Sequence, residues 1–460
     1  MEAVWLYENN FNFHKLAFEM FGFEQGGPRV YFFSLYPSFL ALMMYFIKNS
    51  QVYLLINHLF VIFAGALSLL FVYKIATMVC SKKTSLFSVL LFVFNPLFLS
   101  QISVIGMDII VMLFGLMGVY YFLKEEHSAS MLMFLIGFCI KPSCIVFSAA
   151  AVLASLLSEK ELKNKITRAF AYSIPVWLYF LEVKIAQAFF FNPEHLAPLL
   201  EKTSLSTMIN LLKTYLFLIP DIYLVLVFIL LCFAVFICRG LKNHPAKEFM
   251  AENKAIVFFA ALLGEVFILT FVFWGFLPRY FIIVLPFLVI GLLWGAEKIS
   301  ARSVPFVVLA ALGFSLINMQ GLVYDLIKVY RGNNGHYLER TLAFEDDMEN
   351  NLSLVKLLED KYKGKTIITS WPLLHMLASP QFFYTKEKWS MISSDYQAFA
   401  WRGVRKLRDI DFTDKNYIDK LIWVWANNCY AQHTKPDLNR ETILDVVQKG
   451  SLKVYVYKKP

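Results

Sequence analysis

The stretch "VYLLINHLFVIFAGALSLLFVY" (residues 52–73) contains no Asp, Glu, Lys or Arg. An α-helix rises about 1.5 Å per residue, so this stretch can cross a bilayer core of roughly 30 Å. Over the whole chain, 58% of the residues are hydrophobic and 17% are charged. Soluble domains typically have about 45–50% apolar and about 25% charged residues. The composition therefore predicts a polytopic α-helical membrane protein and argues against a soluble enzyme.

Similar apolar segments recur up to residue 322. We place them at 29–47, 52–74, 84–101, 105–123, 129–141, 142–158, 169–190, 216–238, 255–276, 280–296 and 303–322. The predicted fold of residues 1–325 is a membrane domain with about ten transmembrane helices, an interfacial helix and an outer-face loop at 1–51.

The tail, residues 326–460, is polar and different in kind. Strand patterns occur at "KTIITSW" (365–371), "LIWVWA" (421–426) and "LKVYVY" (452–457), and a helix pattern at "ENNLSLVKLLEDKYKG" (349–364). Alternating helix and strand signals predict a small α/β domain after the last span.

Lys and Arg are distributed unevenly between alternate loops. One set holds 14 of them, in the loops 74–83, 124–128, 159–168, 239–254 and 297–302. The other set holds 7 in a longer total length, at 1–48, 97–107, 141, 191–215 and 275–279. Because cytoplasmic loops are enriched in Lys and Arg, the first set is predicted to be cytoplasmic. Residues 1–28, with four Glu and one Lys, are then outside, together with the tail.

With residues 1–28 outside and the segment 52–74 running inward, both ends of the segment 29–47 lie outside. This segment therefore cannot be an ordinary span. We expect that segment, aromatic-rich and interrupted by Pro37, to lie along the outer face as an interfacial or re-entrant helix. The alternative is a cytoplasmic N-terminus. The interfacial arrangement would imply that the natural chain has a further helix upstream of Met1.

Neither the net charge nor the cysteines indicate a nucleic-acid or metal site. The net charge of +9 comes from Lys and Arg residues that are concentrated in the short loops. None of the six Cys residues forms a CxxC or Cys/His metal spacing. No cofactor motif is present, although a divalent metal ion is left open.

Charged residues inside apolar segments cost about 2.5–3.5 kcal/mol at a helix centre, so each one needs a reason. For Glu182, Lys184 and Glu265 a structural role is favoured. Three others are site candidates, namely Asp108, Lys141 and Arg279.

Each of these three has a structural reading and a functional one. Asp108 can cap its helix or act in a site. Lys141, before Pro142, marks a junction of two short helices, where it can snorkel or pair with a phosphate or with Asp108. Arg279 can bind a phosphate in bidentate fashion, and Tyr280 can act as an interfacial anchor.

The order of four motifs resembles the GT-C superfamily of glycosyltransferases, in particular the protein O-mannosyltransferase and aminoarabinose-transferase-like proteins of family 39 type. These motifs are "NPLFLSQISVIGMD" (95–108), "LKEE" (123–126), "GFCIKPSCIVF" (137–147) and "PRYFIIVLPFLVIG" (278–291). The resemblance covers about residues 5–320.

The resemblance implies an inverting transferase that moves a sugar from a polyprenyl-phosphate carrier to a lipid, glycan or protein acceptor. The reaction would take place at the outer face of a bacterial inner membrane. It also implies that Asp108 is catalytic and that Lys141 and Arg279 bind the donor phosphate. Tyr280, next to Arg279, is a further candidate for binding this phosphate.

The family's first loop carries an aspartate that residues 1–50 lack. Asn9 or Asn10 takes its place, with Glu8 adjacent, so either Glu8 or Asp108 supplies the base, or catalysis is lost. Asn9, Asn10, Arg29 and Tyr36 are the substrate-binding candidates. A transporter or flippase, or a non-catalytic scaffold of the same fold, remains the alternative function.

Overall fold

The structure is a computed structural model. It describes residues 6–7, 10–11, 35–104, 106–190, 220–272, 278–319, 344–369, 373, 377, 385, 389–393, 405–406, 419–426, 441–449 and 452–458. For part of these, including 182–190, 220–224, 270–272, 278–280 and 344–348, the description covers the backbone only.

The first part of the chain is helical. Its α-helices are α1 (Leu35–Phe46), α2 (Ser50–Ala76), α3 (Lys82–Val93), α4 (Pro96–Ile102), α5 (Asp108–Leu123), α6 (His127–Ile140), α7 (Ile145–Ser158), α8 (Leu162–Phe190), α9 (Pro220–Asn243), α10 (Ala246–Glu252), α11 (Lys254–Val272), α12 (Leu285–Ile299) and α13 (Ser303–Ile317). Two 3-10 helices, Pro142–Cys144 and Pro278–Ile283, precede α7 and α12.

The segment predicted at 84–101 is not one helix. It is divided into α3 and α4, which are bent by 59° relative to each other. The Asn95 side chain accepts a hydrogen bond from the Leu97 N–H, 3.0 Å away, and so caps α4. Pro96 follows at the first position of the new helix, where its missing N–H costs nothing. The residues on both sides of this break are apolar, so the hydropathy of the sequence does not reveal the break.

The predicted interruption of segment 29–47 at Pro37 stays a prediction, because residues 29–34 lie outside the described residues. Pro37 lies in the first turn of α1, a position that tolerates proline. The helix has 12 residues and is about 18 Å long, too short to cross a bilayer core. An interfacial location of α1 is consistent with this length.

Two of the described helical stretches, Gln51–Ala76 and Val225–Asn243, are long and apolar enough to cross a membrane by themselves. The bent pair α3–α4 would provide a third. Shorter apolar helices are Leu35–Phe46, Asp108–Leu123, His127–Ile140, Pro142–Ser158 and Ser303–Ile317. The count of about ten spans therefore stays a prediction.

Loops predicted to share the cytoplasmic side contact one another. The Ser81 N–H lies 3.2 Å from a carboxylate oxygen of Glu297. Lys254 Nζ is 3.4 Å from both Glu125 and Glu159, and Arg168 pairs with Glu159. The side of the membrane on which this end lies is still a prediction from the charge count.

Aromatic rings fill the interior next to small residues of α5. Phe147 is fully buried, with its ring centroid 6.1 Å from that of Phe134 and 5.9 Å from that of Phe287. A Cβ placed at Gly115 would overlap the Phe147 ring. The glycine therefore allows α7 to approach α5 closely.

The described strands all lie in the tail. They are β1 (Thr366–Thr369), β2 (Ser390–Ser393), β3 (Arg405–Lys406), β4 (Leu421–Ala426), β5 (Thr442–Lys449) and β6 (Leu452–Lys458). The strand patterns predicted for β1, β4 and β6 are confirmed, as is the helix pattern, which lies within α14 (Phe344–Lys361) except for its last residues. Strands β2, β3 and β5 were not anticipated. The division of the chain at residue 325 stays a prediction, because 320–343 lie outside the described residues.

The six strands form one mixed sheet in the order β3-β2-β1-β4-β6-β5. Strands β1 to β4 pair in parallel, and the hairpin β5–β6 adds two antiparallel strands beside β4. Side chains alternate between the two faces. Ile367 and Ile422 belong to the cluster that includes α14, whereas Ile368 and Trp423 belong to a second cluster.

An ion pair links the C-terminal end of α14 to β5. Asp445 accepts hydrogen bonds from Lys361 Nζ at 2.8 Å and from the Tyr362 hydroxyl at 2.6 Å. The Lys361 bond, followed by the Tyr362 bond, holds the pKa of the Asp445 carboxyl below its ordinary value. Burial and the bond to Asp445 raise the pKa of Tyr362 to about 12.

We expect Gly115→Ala to lower the stability of the protein by about 1–3 kcal/mol, because Phe147 is held by two other rings and cannot move aside. Gly313→Ala is the matched control, since nothing lies within 4 Å of its added Cβ. Alanine is the better helix former, so the control should be neutral or stabilising. Thermal unfolding in detergent measures both, and equal shifts of the two variants would contradict close packing at Gly115.

We expect Asp445→Asn to loosen β5 in a pH-dependent way. A folded-state pKa below the unfolded value of about 3.9 gives stability that is present above that value. This stability is lost as pH falls through the folded pKa. Hydrogen exchange of residues 442–449 in the full-length protein should therefore be faster in Asp445→Asn than in wild type at pH 6. The ratio of the exchange rate in the variant to that in wild type should approach one near pH 2. Asp360→Asn, an exposed carboxylate on α14, should show a ratio near one throughout.

Candidate active site at the Asp108–Lys141 pair

Lys141 lies at the predicted junction between two short helices. Helix α6 ends at Ile140, and Lys141 itself is extended, with φ −155° and ψ 130°. This conformation follows from the sequence, because a residue before proline is pushed out of the helical region. Pro142 then starts the 3-10 turn that leads into α7. The chain thus places one charged side chain between two apolar helices.

Asp108 is the first residue of α5. Its carboxylate forms an ion pair with Lys141 Nζ, which confirms the pairing that was considered from the sequence. The two side chains are 10% and 19% exposed, respectively. A carboxylate in the first turn of a helix also interacts favourably with the helix dipole. Asp108 can therefore stabilise the start of α5 and take part in a site at the same time.

The burial of this pair decides its energetics. A buried ion pair contributes little net stability, but removing one partner leaves an uncompensated charge and costs about 3–5 kcal/mol. Lys141 has three N–H donors, so its ammonium group has the capacity to contact more than one acceptor. The arrangement suits a pre-formed site in which the carboxylate holds the ammonium group in position.

The backbone of Arg279 lies at the same end of the helical bundle as the Asp108–Lys141 pair. Both residues 279 and 280 belong to the 3-10 helix Pro278–Ile283, which packs against α4 and α5. Helix α12 continues from this 3-10 helix to Glu297, which contacts Ser81 at the opposite end. Phe281 and Ile282 are fully buried and fix the 3-10 helix in place. The side chains of Arg279 and Tyr280 lie outside the described part of the structure.

Tyr36 is buried, with 5% of its surface exposed. It lies on α1, which packs against α2 and α6. The Tyr53 hydroxyl, near the start of α2, donates to the Leu40 carbonyl at 3.3 Å, which places α1 at the N-terminal end of α2. Among the described residues, the Tyr36 hydroxyl has no hydrogen-bond partner.

The first-loop candidates are only partly described. Asn10 is exposed, and its Oδ1 accepts a hydrogen bond from the Tyr45 hydroxyl at 3.2 Å. Glu8, Asn9 and Arg29 lie outside the described residues, so their assignments stay predictions.

Ser143 is a neighbour of the pair that was not anticipated from the sequence. It lies in the 3-10 turn two residues after Lys141, and its buried hydroxyl has no partner within the described part of the chain. A buried hydroxyl without a partner costs about 1–3 kcal/mol. The signal in the sequence was the motif "KPS", where the serine follows the helix-breaking proline.

No group of three or more His, Cys, Asp or Glu residues that could hold a metal ion occurs among the described residues. The polar groups of the site are a carboxylate, an ammonium group and hydroxyls. Such a set is suited to binding an anion and hydrogen-bonding groups.

Comparisons with known proteins give one structural match. No protein-family model matches the chain, and no curated protein matches it significantly. A crystal structure of ArnT from Cupriavidus metallidurans bound to undecaprenyl phosphate matches with a TM-score of 0.44 and 14% sequence identity. The alignment covers 99% of this chain and 92% of that one. A TM-score below 0.5 does not by itself establish a common fold.

The ion pair predicts non-additive effects on stability. Asp108→Asn alone and Lys141→Gln alone should each lower the thermal midpoint in detergent, because each leaves a buried charge without its partner. The double variant Asp108→Asn/Lys141→Gln should lower it by clearly less than the sum. A double variant whose loss equals that sum would show that the two side chains do not interact in solution.

Proposed function

We propose that the chain is a GT-C-type membrane glycosyltransferase that transfers a sugar from a polyprenyl-phosphate carrier to a lipid, glycan or protein acceptor. The observation that carries the proposal is the ion pair between Asp108 and Lys141 at a junction of short helices. The helix that bears Arg279 packs against the same end of the bundle. The order of sequence motifs that resembles this superfamily supports it independently.

The proposed chemistry requires stabilisation of a leaving phosphate. In an inverting transfer, the acceptor oxygen attacks the anomeric carbon, the bond from that carbon to the phosphate oxygen breaks, and a base takes the acceptor proton. Negative charge develops on the departing phosphate. Lys141 supplies a pre-formed positive charge for it, and Arg279 supplies a bidentate donor.

The ion pair assigns different roles to the two acids. The Asp108 carboxylate is already bound to Lys141, so it is suited to hold that lysine in place rather than to accept a proton. We therefore assign the base to Glu8, which precedes Asn9 and Asn10 in the first loop. Asp108 then acts as the positioning counter-ion of the phosphate site.

The charge distribution supports a site on the extracytoplasmic side, and we place the protein in a bacterial inner membrane. The Lys- and Arg-rich loops that contact one another contain Lys254 and Arg168. They lie at the other end of α7 from Lys141. Under the positive-inside rule, the Asp108–Lys141 end then faces outward. A transporter would instead be expected to gather its charges near the bilayer midplane.

The test is transfer from synthetic polyprenyl-phosphate sugars by the full-length protein in lipid nanodiscs, with release of polyprenyl phosphate as the readout. We expect Lys141→Met to lower kcat/KM by about 10²–10³-fold, as for loss of one group that stabilises developing charge. Glu8→Gln should lower kcat by about 10²–10⁴-fold, as expected for a general base.

Lys298→Gln is the matched control, because this lysine lies in the last turn of α12, the end opposite to the site. It should retain wild-type turnover. Wild-type protein that releases no polyprenyl phosphate from any donor sugar would contradict the enzyme and favour a scaffold. Movement of an intact labelled donor between leaflets without hydrolysis would favour a flippase.

A further inference from the structure

Tyr7 and Asn10 are attached to the C-terminal end of α1 and to Lys48 just beyond it by hydrogen bonds. The Tyr45 hydroxyl lies 3.1 Å from the Tyr7 carbonyl oxygen and 3.2 Å from Asn10 Oδ1. Lys48 Nζ donates to the Tyr7 hydroxyl at 3.0 Å. We call these residues, Tyr7, Asn10, Phe11, Tyr45 and Lys48, the clasp.

Ring contacts strengthen the same clasp. The Tyr7 and Tyr45 rings are 4.7 Å apart in an edge-to-face arrangement, and Phe11 stacks on Tyr45 at 5.9 Å. The Lys48 ammonium lies 5.0 Å from the centre of the Tyr7 ring and 5.4 Å from that of Tyr45. Both distances are within the range of a cation–π interaction. The clasp therefore combines hydrogen bonds, ring packing and a charge.

The backbone of the clasp is turned sharply. The Phe11 N–H donates to the Leu6 carbonyl at 2.8 Å, which brings these two residues together. Asn10 and Phe11 have φ values of 51° and 58°, in the left-handed region. Asparagine adopts this conformation often, but phenylalanine rarely does. Such a conformation persists where surrounding contacts over-determine it, and it is concentrated at functional sites.

We propose that Tyr45 and Lys48 are positioning residues that fix the loop carrying the base Glu8. Glu8 and Asn9 lie in the sequence between Tyr7 and Asn10, and both of these flanking residues are held by Tyr45. This inference rests on the proposed function. The same helix α1 packs on α6, which ends immediately before Lys141. One short helix therefore supports both the loop of the base and the helix of the phosphate-binding lysine.

The clasp acts on turnover rather than on donor binding. A general base has to be within hydrogen-bond reach of the proton that it abstracts, and a misplacement of about 1 Å can cost 10²-fold in rate. Lys141 and Arg279, which are proposed to bind the donor phosphate, are not part of the clasp. Loosening the clasp should therefore lower kcat and leave KM for the donor nearly unchanged.

The decisive variant is Tyr45→Phe, which keeps the ring and removes the hydroxyl that binds Tyr7 and Asn10. In the full-length protein in nanodiscs, with a polyprenyl-phosphate sugar as donor, we expect kcat to fall by about 10-fold or more and the donor KM to stay within about twofold. Lys48→Met should behave in the same way, and Lys48→Arg should retain most of the turnover. Phe46→Leu is the control on the same helix, because Phe46 is 77% exposed, and it should match wild type.

A double variant separates positioning from a general structural effect. When Glu8 is already replaced, its placement no longer matters, so Tyr45→Phe should cause little further loss in the Glu8→Gln background. An equal loss in both backgrounds would overturn the positioning role, as would a wild-type kcat for Tyr45→Phe.

Hydrogen exchange of residues 6–11 tests the clasp without any turnover. Tyr45→Phe should speed exchange there, whereas Lys141→Met should not. Unchanged exchange in Tyr45→Phe would overturn the clasp, whatever the activity. If the proposed function is wrong, the wild-type protein will be inactive or Glu8→Gln will show full turnover. Hydrogen exchange would still decide whether Tyr45 holds residues 6–11.

Discussion

A lysine and an aspartate can be buried together at the end of an apolar helical bundle because each neutralises the other. The Asp108–Lys141 pair imposes this constraint on the elements around it. Helix α5 has to begin at Asp108, and α6 has to stop before Lys141, so that the two side chains meet. Pro142 enforces the second condition, since it prevents a helix from continuing through the lysine. The broken helix and the charge pair are thus one feature, and the proposed phosphate site depends on both.

The positions of most described helices before residue 320 could be predicted from the sequence, because hydropathy and helical length are local properties. The breaks inside apolar segments could not. Asn95–Pro96 divides a continuous apolar run by capping and a missing N–H, which a hydropathy average does not register. In the tail, β4 and β6 are buried runs of β-branched and aromatic residues and were recognisable. Strand β5 was missed because it lies at the sheet edge and because an irregularity between Ile443 and Asp445 interrupts its alternating pattern.

The candidate site shows the same division between local and long-range information. Asp108 and Lys141 were recognisable because a charge in an apolar segment needs a partner, and both lie at predicted helix ends. Tyr45 and Lys48 gave no such signal, since a tyrosine and a lysine at the end of an aromatic helix are ordinary at a membrane interface. Their contacts join residues more than 30 positions apart, and such contacts depend on how α1 packs. Sequence patterns alone do not specify that packing.

The position of α1 explains how a segment near the start of the chain can serve a reaction that requires precise placement. The 12 residues of α1 contact α2 and α6 along the bundle, and its C-terminal end holds Tyr7 and Asn10. Since a short helix held on two sides is stiffer than a loop, Tyr7 and Asn10 are attached to a rigid support. In the proposed mechanism, the placement of the base relative to Lys141 depends on the packing of α1 against α6. A change in that packing would alter catalysis without altering any residue that contacts the substrate.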